Sequence, residues 1–209
     1  MNTYAHFVSR KTHEGFQIFR HSTEFHADGG AGKVIGLVVM MNPGDARPED
    51  ESIFESLQNS EYETIEPVLT KQDNTMKKLI GLIQKAYKQD NETLPPKYTI
   101  HIENIFNLRE KDSDQAKKYV KRMTDFQELM FKRRVYEEKY DFVFFAWGKL
   151  DILKHHQIEY RRNFPNAIVV NKKNIKGIIR EVDYPVHPLY MNTGFFLEAS
   201  KGNIKKVYS

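Results

Sequence analysis

The chain has 209 residues, of which 40% are hydrophobic and 29% are charged, and its formal net charge is +4. This length and composition fit one globular domain, so we predict a single α/β domain over residues 1–209. The chain has no cysteine, which excludes disulfides, thiolate metal sites and a cysteine nucleophile, and no apolar run approaches the roughly 20 residues of a membrane span. We therefore expect a cytoplasmic protein without a signal peptide or a membrane partner.

The first part of the chain predicts two strands and a helix. Residues 1–30 are expected to form an N-terminal extension with a short aromatic edge strand at Phe16–Phe19. The nearly continuous apolar run Val34–Met41 predicts a buried strand that stops at the turn Asn42-Pro43-Gly44. Apolar residues at helical spacing predict a helix over Met76–Tyr87.

The remaining elements continue the alternation of strands and helices. Tyr98–Ile102, Phe142–Trp147 and Ala167–Val170 are strand-like, whereas Ala116–Phe131 predicts one long amphipathic helix and Leu150–Tyr160 a shorter one. Strands separated by helices indicate a parallel sheet covered on both faces. We therefore predict a three-layer α/β/α fold with a central, mostly parallel sheet of four strands.

The charges are unevenly distributed along the chain. Residues 43–75 are strongly acidic, whereas residues 149–180 are basic. Such a basic segment is compatible with contacts to a phosphate backbone, although a solvated charged surface explains it equally well. The candidate backbone contacts are Lys149, Arg161, Arg162, Lys172 and Lys173.

Two patterns that suggest cofactor or metal sites fail on closer inspection. Gly29–Lys33 lacks the first glycine and the Ser/Thr of a phosphate-binding loop and precedes a strand instead of following one, so it is predicted to be a turn. His101-x-Glu103 and His155-His156 offer ligand types without a third ligand at a recognisable spacing. The sequence thus predicts no cofactor and no metal.

Three polar motifs, each placed just after an apolar run, are the strongest functional signals. They are Asn42-Pro43-Gly44, Asn104-Ile105-Phe106-Asn107-Leu108-Arg109 and His187-Pro188-Leu189-Tyr190. Polar groups at the carboxyl ends of parallel strands converge on one edge of the sheet, where open α/β proteins bind ligands.

The order of these motifs resembles that of a family of small bacterial and phage proteins of unknown function. The match is Met40–Gly44, Asn104–Phe106 with Arg109, Ala146-Trp147-Gly148 and His187–Tyr190. The same order is remotely similar to the uracil-DNA glycosylase superfamily, whose His-Pro loop runs into a Gly-Phe-Phe segment, here Gly194-Phe195-Phe196. That resemblance implies a uracil-DNA-glycosylase-like fold and cleavage of a base from its sugar.

Such cleavage assigns a chemical task to each residue type. In the transition state for cleavage of the glycosidic bond, negative charge develops on the departing base and positive charge on the sugar. His187 is expected to donate to the base anion, Asn42 to position the attacking water, and Asp45 is the candidate general base. Candidate substrate-binding residues are Met41, Gly44, Phe54, Asn104, Phe106, Arg109, Trp147, Pro188 and Tyr190. Among them Asn104 is expected to recognise a base edge, and Phe54 or Phe106 to stack on the base.

Departures from the superfamily pattern concern the turn and the wedge. Asn42-Pro43-Gly44 resembles the mismatch-specific branch, in which Asn replaces the Asp of the uracil-specific members. Gly44 stands where the uracil-specific branch has a bulky Tyr that excludes a 5-methyl group, so the resemblance implies a slower site that tolerates modified bases. The superfamily's Ser-Pro-Leu-Ser wedge is missing, with Leu189–Asn192 in its place.

Three functions remain open from the sequence. The first is a glycosylase-like protein acting on a modified or mismatched base in nucleic acid, with DNA favoured, or in a nucleotide. The second is a non-catalytic nucleotide- or DNA-binding module on the same fold. The third is a metal-dependent nuclease. The only carboxylates near a predicted strand end that could hold its metal are Asp45, Asp50 and Glu51.

Overall fold

The computed structural model describes residues 1–27, 30–134, 139–175 and 178–204. Its strands are β1 (Asn2–Thr12), β2 (Gly15–His26), β3 (Lys33–Met40), β4 (Tyr62–Glu63), β5 (Val68–Leu69), β6 (Tyr98–Asn104), β7 (Phe142–Phe145), β8 (Ile168–Val169), β9 (Lys172–Ile175) and β10 (Ile178–Glu181). Its α-helices are α1 (Glu51–Asn59), α2 (Asn74–Gln89), α3 (Ser113–Arg122), α4 (Gln127–Met130), α5 (Lys154–Asn163) and α6 (Thr193–Ser200).

The protein is a mixed α/β structure with a mostly parallel central sheet flanked by helices. The strand order is β4-β1-β2-β6-β3-β7-β8, and β5 also pairs with β1. In the centre, β3 pairs in parallel with both β6 and β7, and β8 pairs in parallel with β7. The prediction of four strands was wrong because the sheet has eight: the parallel set of four is extended by an antiparallel N-terminal portion.

The central strands are covered on both faces, as their composition predicts. All residues of β6 and of β7 are buried, which explains why these strands are apolar runs without strict alternation. Gly36 of β3 lies against the ring of Phe142, and an added Cβ would overlap that ring. A larger residue at position 36 would therefore force β3 and β7 apart.

The N-terminal hairpin belongs to the main sheet. β1 and β2 pair along nearly their whole lengths, and β2 then pairs antiparallel with β6. The predicted edge strand Phe16–Phe19 is thus part of an interior strand. The register shifts from Tyr4↔Glu24 to His6↔His21, which places one extra residue in β2, and Ser22 there has a φ of 50°. This β-bulge changes which side chains of β2 face the interior.

The predicted long helix over Ala116–Phe131 is two helices. α3 ends at Arg122, and α4 begins after Phe126, whose φ is 59°. The helical hydrogen-bond ladder ends where Met123 takes an extended conformation, and the left-handed Phe126 precedes the second helix. The break occurs without the Gly or Pro that usually signals it in a sequence.

Other predictions agree with the structure to within a few residues. β3, β6 and β7 occur at the predicted positions, and α2 begins after Asp73, whose side chain accepts from Met76 N. Part of the segment 29–33 lies outside the described residues. Among the described helices, none combines the length and apolar composition needed to cross a bilayer.

Candidate functional site

The central parallel strands create a crevice where consecutive connections of the chain run to opposite sides of β3. From β3 the chain continues to β6 on one side, and it later enters β7 on the other side of β3. The loops that leave β3 and β7 therefore diverge, and ligands of open α/β sheets bind at such switch points. A cavity of about 670 Å³ lies there, against Met41, Asn42, Trp147 and Gly148. We call it the switch-point cavity.

The cavity receives residues from several parts of the chain. Its full lining is Arg20, Met40, Met41, Asn42, Pro43, Gly44, Asp45, Asp73, Asn74, Thr75, Met76, Ile102, Lys111, Ser113, Lys117, Trp147, Gly148, Lys149, Lys173, His187, Leu189 and Tyr190. Of the predicted site residues, Asn42, His187, Asp45, Met41, Gly44, Trp147, Tyr190, Lys149 and Lys173 are thus brought together. Its volume falls in the range of small-molecule sites.

Asn42 has its side-chain orientation fixed by the backbone. Its Nδ2 donates to the carbonyl oxygen of Glu110 at 2.7 Å. This bond uses one of the two Nδ2 hydrogens and fixes the orientation of the amide, so that Oδ1 can accept from a ligand or a water in the cavity. An amide oxygen accepts a hydrogen bond from water but does not take up its proton.

His187 is held as a neutral imidazole. Leu189 N donates to its Nδ1 at 3.4 Å, so the proton of the neutral ring is on Nε2. Burial lowers the His187 pKa to about 4, with Asp73 opposing that shift and Lys78 and Lys173 adding to it. At neutral pH the cavity therefore contains a neutral N–H donor at this position.

Gly148 allows the His187 loop to approach β7. Its φ is +74°, and a Cβ added there would lie 3.4 Å from the Cβ of His187. Gly148 N also donates to Pro185 O at 2.9 Å, which ties the end of β7 to the segment before His187. The Trp-Gly strand end thus positions the histidine.

Arg20 is the main cavity residue that the sequence analysis missed. It lies on β2 and is only 2% exposed, yet its Nε and Nη1 have no hydrogen-bond partner among the described residues. Burial lowers its pKa to about 10, against the opposing effects of Asp73 and Asp45, so the guanidinium remains charged at neutral pH. The only available signal was a charged residue inside the aromatic stretch 16–25.

Trp147 adds a second unpartnered donor. The side chain is 1% exposed, and its buried Nε1 has no acceptor among the described residues. The Arg161 guanidinium lies 5.5 Å from the ring. Arg161, predicted as a phosphate contact, here covers the indole and does not line the cavity.

Phe54 and Arg109 support the Asn-Pro-Gly turn from outside the cavity. Arg109 donates from Nε to Ala46 O at 2.9 Å and from Nη2 to Asp45 O at 2.6 Å. The guanidinium groups of Arg109 and Arg47 lie 5.2 Å and 4.8 Å from the centre of the Phe54 ring. The structure therefore places both predicted ligand contacts in the scaffold of the turn.

Three more predicted contacts lie in the interior. Phe106 is fully buried, and Pro188 is buried at the start of a 3-10 turn over Pro188–Tyr190. Asn104 is 1% exposed and does not line the cavity, although neither polar atom of its amide has a partner among the described residues.

The remaining basic residues are dispersed. Lys172 forms an ion pair with Glu198 at 3.2 Å, and Arg162 lies exposed on α5. Lys173 donates to the hydroxyl of Tyr184 at 2.8 Å beside the cavity. Of the five predicted phosphate contacts, Lys149 and Lys173 thus line the cavity, and Arg161, Arg162 and Lys172 do not.

The carboxylates of the cavity do not form a metal site. Among the described residues, Asp45 and Asp73 are the carboxylates that line it, and Asp73 Oδ1 accepts from Met76 N at 2.8 Å. No group of three or more potential ligands that could hold a metal ion occurs in the described ranges.

Comparisons with protein-family models, with curated proteins and with solved structures find no match for this chain.

Proposed function

We propose that this protein hydrolyses the N-glycosidic bond of a modified or mismatched base in a nucleotide or in nucleic acid. One observation carries the proposal: the cavity combines a neutral His187 that presents Nε2–H with an Asn42 whose Oδ1 is available to water. These groups match the two requirements of the reaction, stabilisation of a departing base anion and placement of the attacking water.

In this mechanism His187 donates a hydrogen bond to the base as negative charge develops on it. A neutral donor stabilises a base anion without first protonating the base, and a preorganised donor of this kind contributes about 3 kcal/mol to a reaction barrier. Asn42 Oδ1 accepts from the water that attacks the sugar carbon. The water oxygen bonds to the sugar carbon as the glycosidic bond breaks, and its proton passes to the departed base anion, since Asn42 cannot accept that proton. The products are the free base and a sugar hydroxyl.

The chain topology supports a uracil-DNA-glycosylase-like fold as part of the proposal. The parallel strands in chain order β3, β6, β7 and β8 have the spatial order 2-1-3-4. The Asn-Pro-Gly turn follows the first of these strands and Trp147-Gly148 the third, which are the two strands that flank the switch point.

The cavity rim favours DNA as a partner within this proposal. Leu189 and Tyr190 are 41% and 71% exposed at the rim, and Lys149 and Lys173 line the same cavity. Exposed apolar side chains beside cations are suited to separate stacked bases while the cations contact phosphates. A cytoplasmic location is part of the same proposal.

A second candidate is a binding module without hydrolysis. Asp73 already caps α2 through Oδ1, so Asp45 is the remaining cavity carboxylate for base catalysis. A site that recognises a nucleotide but does not cleave it needs the donors of this cavity and no general base.

The test is to incubate the protein with single- and double-stranded oligonucleotides and nucleotides containing uracil or 5-substituted pyrimidines. Free base and abasic sites are measured by mass spectrometry, with EDTA and separately with Mg²⁺. Release that falls at least about 100-fold in His187→Ala and Asn42→Ala supports the glycosylase. His13→Ala, on the exposed β1–β2 turn, is the matched control. Binding without release favours the module, and Mg²⁺-dependent strand cleavage favours a nuclease.

A further inference from the structure

We propose that Arg20 binds a phosphoryl group, so that the ligand of the switch-point cavity is a mononucleotide or a nucleic-acid end carrying a terminal phosphate. This inference rests on the proposed function, because it specifies the substrate of that site. It concerns a residue outside all three motifs, on a strand of the N-terminal hairpin.

The first argument is the unsatisfied state of the guanidinium. Arg20 is 2% exposed, and its Nε and Nη1 have no acceptor among the described residues. Asp73 and Asp45 are the carboxylates that attract it, and they do so without a hydrogen bond to the guanidinium. A buried cation without a partner is strongly unfavourable, so proteins retain one where a ligand supplies the negative charge.

The second argument is the charge of the surrounding wall. Five cationic side chains line the cavity, against the two carboxylates of Asp45 and Asp73; the five are Arg20, Lys111, Lys117, Lys149 and Lys173. Lys117 is paired with Asp114 at 3.2 Å, so four other cationic side chains face these two carboxylates. The cavity therefore has an excess of positive charge to balance an anionic ligand.

The starts of two helices add to this preference. Asn74, Thr75 and Met76 open the 16-residue helix α2, and Ser113 opens α3; all four residues line the cavity. Asp73 already caps Met76 N, and Asp112 caps Asp114 N and Gln115 N. The N–H groups of Asn74, Thr75 and Ser113 have no intrahelical acceptor, and the helix dipole favours negative charge at this end. Together with Arg20, they form a cavity suited to an oxyanion.

The depth of Arg20 distinguishes between sources of phosphate. It shares the cavity floor with Met40 and Ile102, which are 7% and 1% exposed on the neighbouring strands. An internal phosphodiester of a nucleic-acid strand is flanked by nucleotides on both sides, so it stays at the cavity rim, near Lys149 and Tyr190. A terminal phosphate is attached on one side only and can enter to the floor.

The single tryptophan reports directly on this site. Trp147 lines the cavity, and no other tryptophan occurs in the sequence. The experiment titrates inorganic phosphate into the wild-type protein while Trp147 fluorescence is recorded, with KCl holding the ionic strength constant. Isothermal titration calorimetry measures the same binding independently of the fluorophore.

Arg20→Gln and Arg20→Lys are compared with the matched variant Arg122→Gln, whose side chain is 59% exposed on α3. Saturable phosphate binding that weakens by about tenfold or more in Arg20→Gln, less in Arg20→Lys and not in Arg122→Gln supports the inference. The Arg20 variants should fold, because they remove or retain a buried charge without removing a partner. No saturable binding to the wild type by calorimetry, or equal binding to Arg20→Gln, overturns the inference.

Paired ligands then separate this inference from the proposed function. Deoxyuridine is compared with its 5′-monophosphate, and a uracil oligonucleotide is compared with and without a 5′-phosphate. A phosphate-dependent gain in affinity that needs Arg20 supports the inference even where no base is released. Base release that is equal for the nucleoside and the nucleotide sustains the proposed function and overturns the inference.

Discussion

The side-chain amide of Asn42 donates to the carbonyl oxygen of Glu110 at 2.7 Å and so joins the turn after β3 to the segment before α3. We expect Asn42→Ala to lower the free energy of unfolding by about 1–2 kcal/mol, because the half-buried carbonyl loses its donor. Urea unfolding measures this change. Asn59→Ala is the control: Asn59 Nδ2 donates to Glu55 O at 2.8 Å but is exposed. Equal losses of unfolding free energy in the two variants would show that the Asn42 hydrogen bond stabilises the fold no more than an exposed one does.

Titration of His187 should make the protein less stable in acid. Its pKa in the folded protein is about 4, against 6.5 in the unfolded chain. The unfolded chain therefore binds more protons between these values, so this contribution is fully present above pH 6.5 and is lost as the pH falls through 4. We expect a contribution of about 3 kcal/mol.

The measurement for His187 is urea unfolding of the wild type and His187→Gln from pH 4 to pH 7. The difference in unfolding free energy between the two proteins should increase with pH and become constant above pH 6.5. Parallel curves for the two proteins would mean that His187 titrates normally. In that case the His187 ring would be mostly neutral only above its ordinary pKa of 6.5.

Titration of Glu103 should make the protein less stable as the pH rises, which is the opposite of the effect of His187. This β6 carboxyl is 3% exposed, and burial raises its pKa to about 7, although Arg133 and Arg134 oppose the shift. Between pH 4.5 and 7 the folded protein therefore binds more protons than the unfolded chain. Its contribution is present below pH 4.5 and is lost as the pH rises through 7, by about 3 kcal/mol.

Glu103→Gln keeps the shape of the side chain without its titration. We expect the variant to gain stability relative to the wild type as the pH rises from 4.5 to 8, measured by urea unfolding at fixed ionic strength. Glu198→Gln, on the exposed face of α6, is the control. A wild type that gains stability over Glu103→Gln across this range would indicate that the two arginines outweigh burial.

The sequence predicted the centre of the fold better than its edges for a physical reason. β3, β6 and β7 are buried on both faces, and their apolar runs are visible without any partner. The antiparallel strand β1 contains His6, Ser9 and Arg10 among its apolar residues, so its pattern is weak. The break at Phe126 was invisible because its left-handed backbone has no Gly or Pro signal.

The candidate site shows the same division. Asn42 and Trp147 were found because they lie at the carboxyl ends of predicted strands, which meet by the rules of parallel sheets, whereas His187 was found through its His-Pro motif. Arg20 reaches the cavity from an antiparallel hairpin in which a bulge at Ser22 shifts the register. Nothing in the sequence near Ser22 signals a positive φ, so the placement of Arg20 depended on tertiary structure.

Gly148 should not tolerate a side chain, and a substitution of Gly81 provides the comparison. Its φ of +74° is unfavourable for other residues, and an added Cβ would lie 3.4 Å from the Cβ of His187. We expect Gly148→Ala to lower the free energy of unfolding by about 1–2 kcal/mol. It should also reduce base release, because relief of the strained positive φ would move the strand end whose Gly148 N is bonded to Pro185 O, just before the histidine.

Gly81→Ala is the matched substitution. Gly81 lies inside α2, has no atom within 4 Å of an added Cβ, and should gain about 0.5–1 kcal/mol because alanine is the better helix former. Thermal unfolding of both variants gives the comparison, and base release by Gly81→Ala should equal that of the wild type. If Gly148→Ala is as stable and as active as Gly81→Ala, the approach of β7 to the His187 loop does not require glycine, and the link between the Trp-Gly strand end and the histidine is refuted.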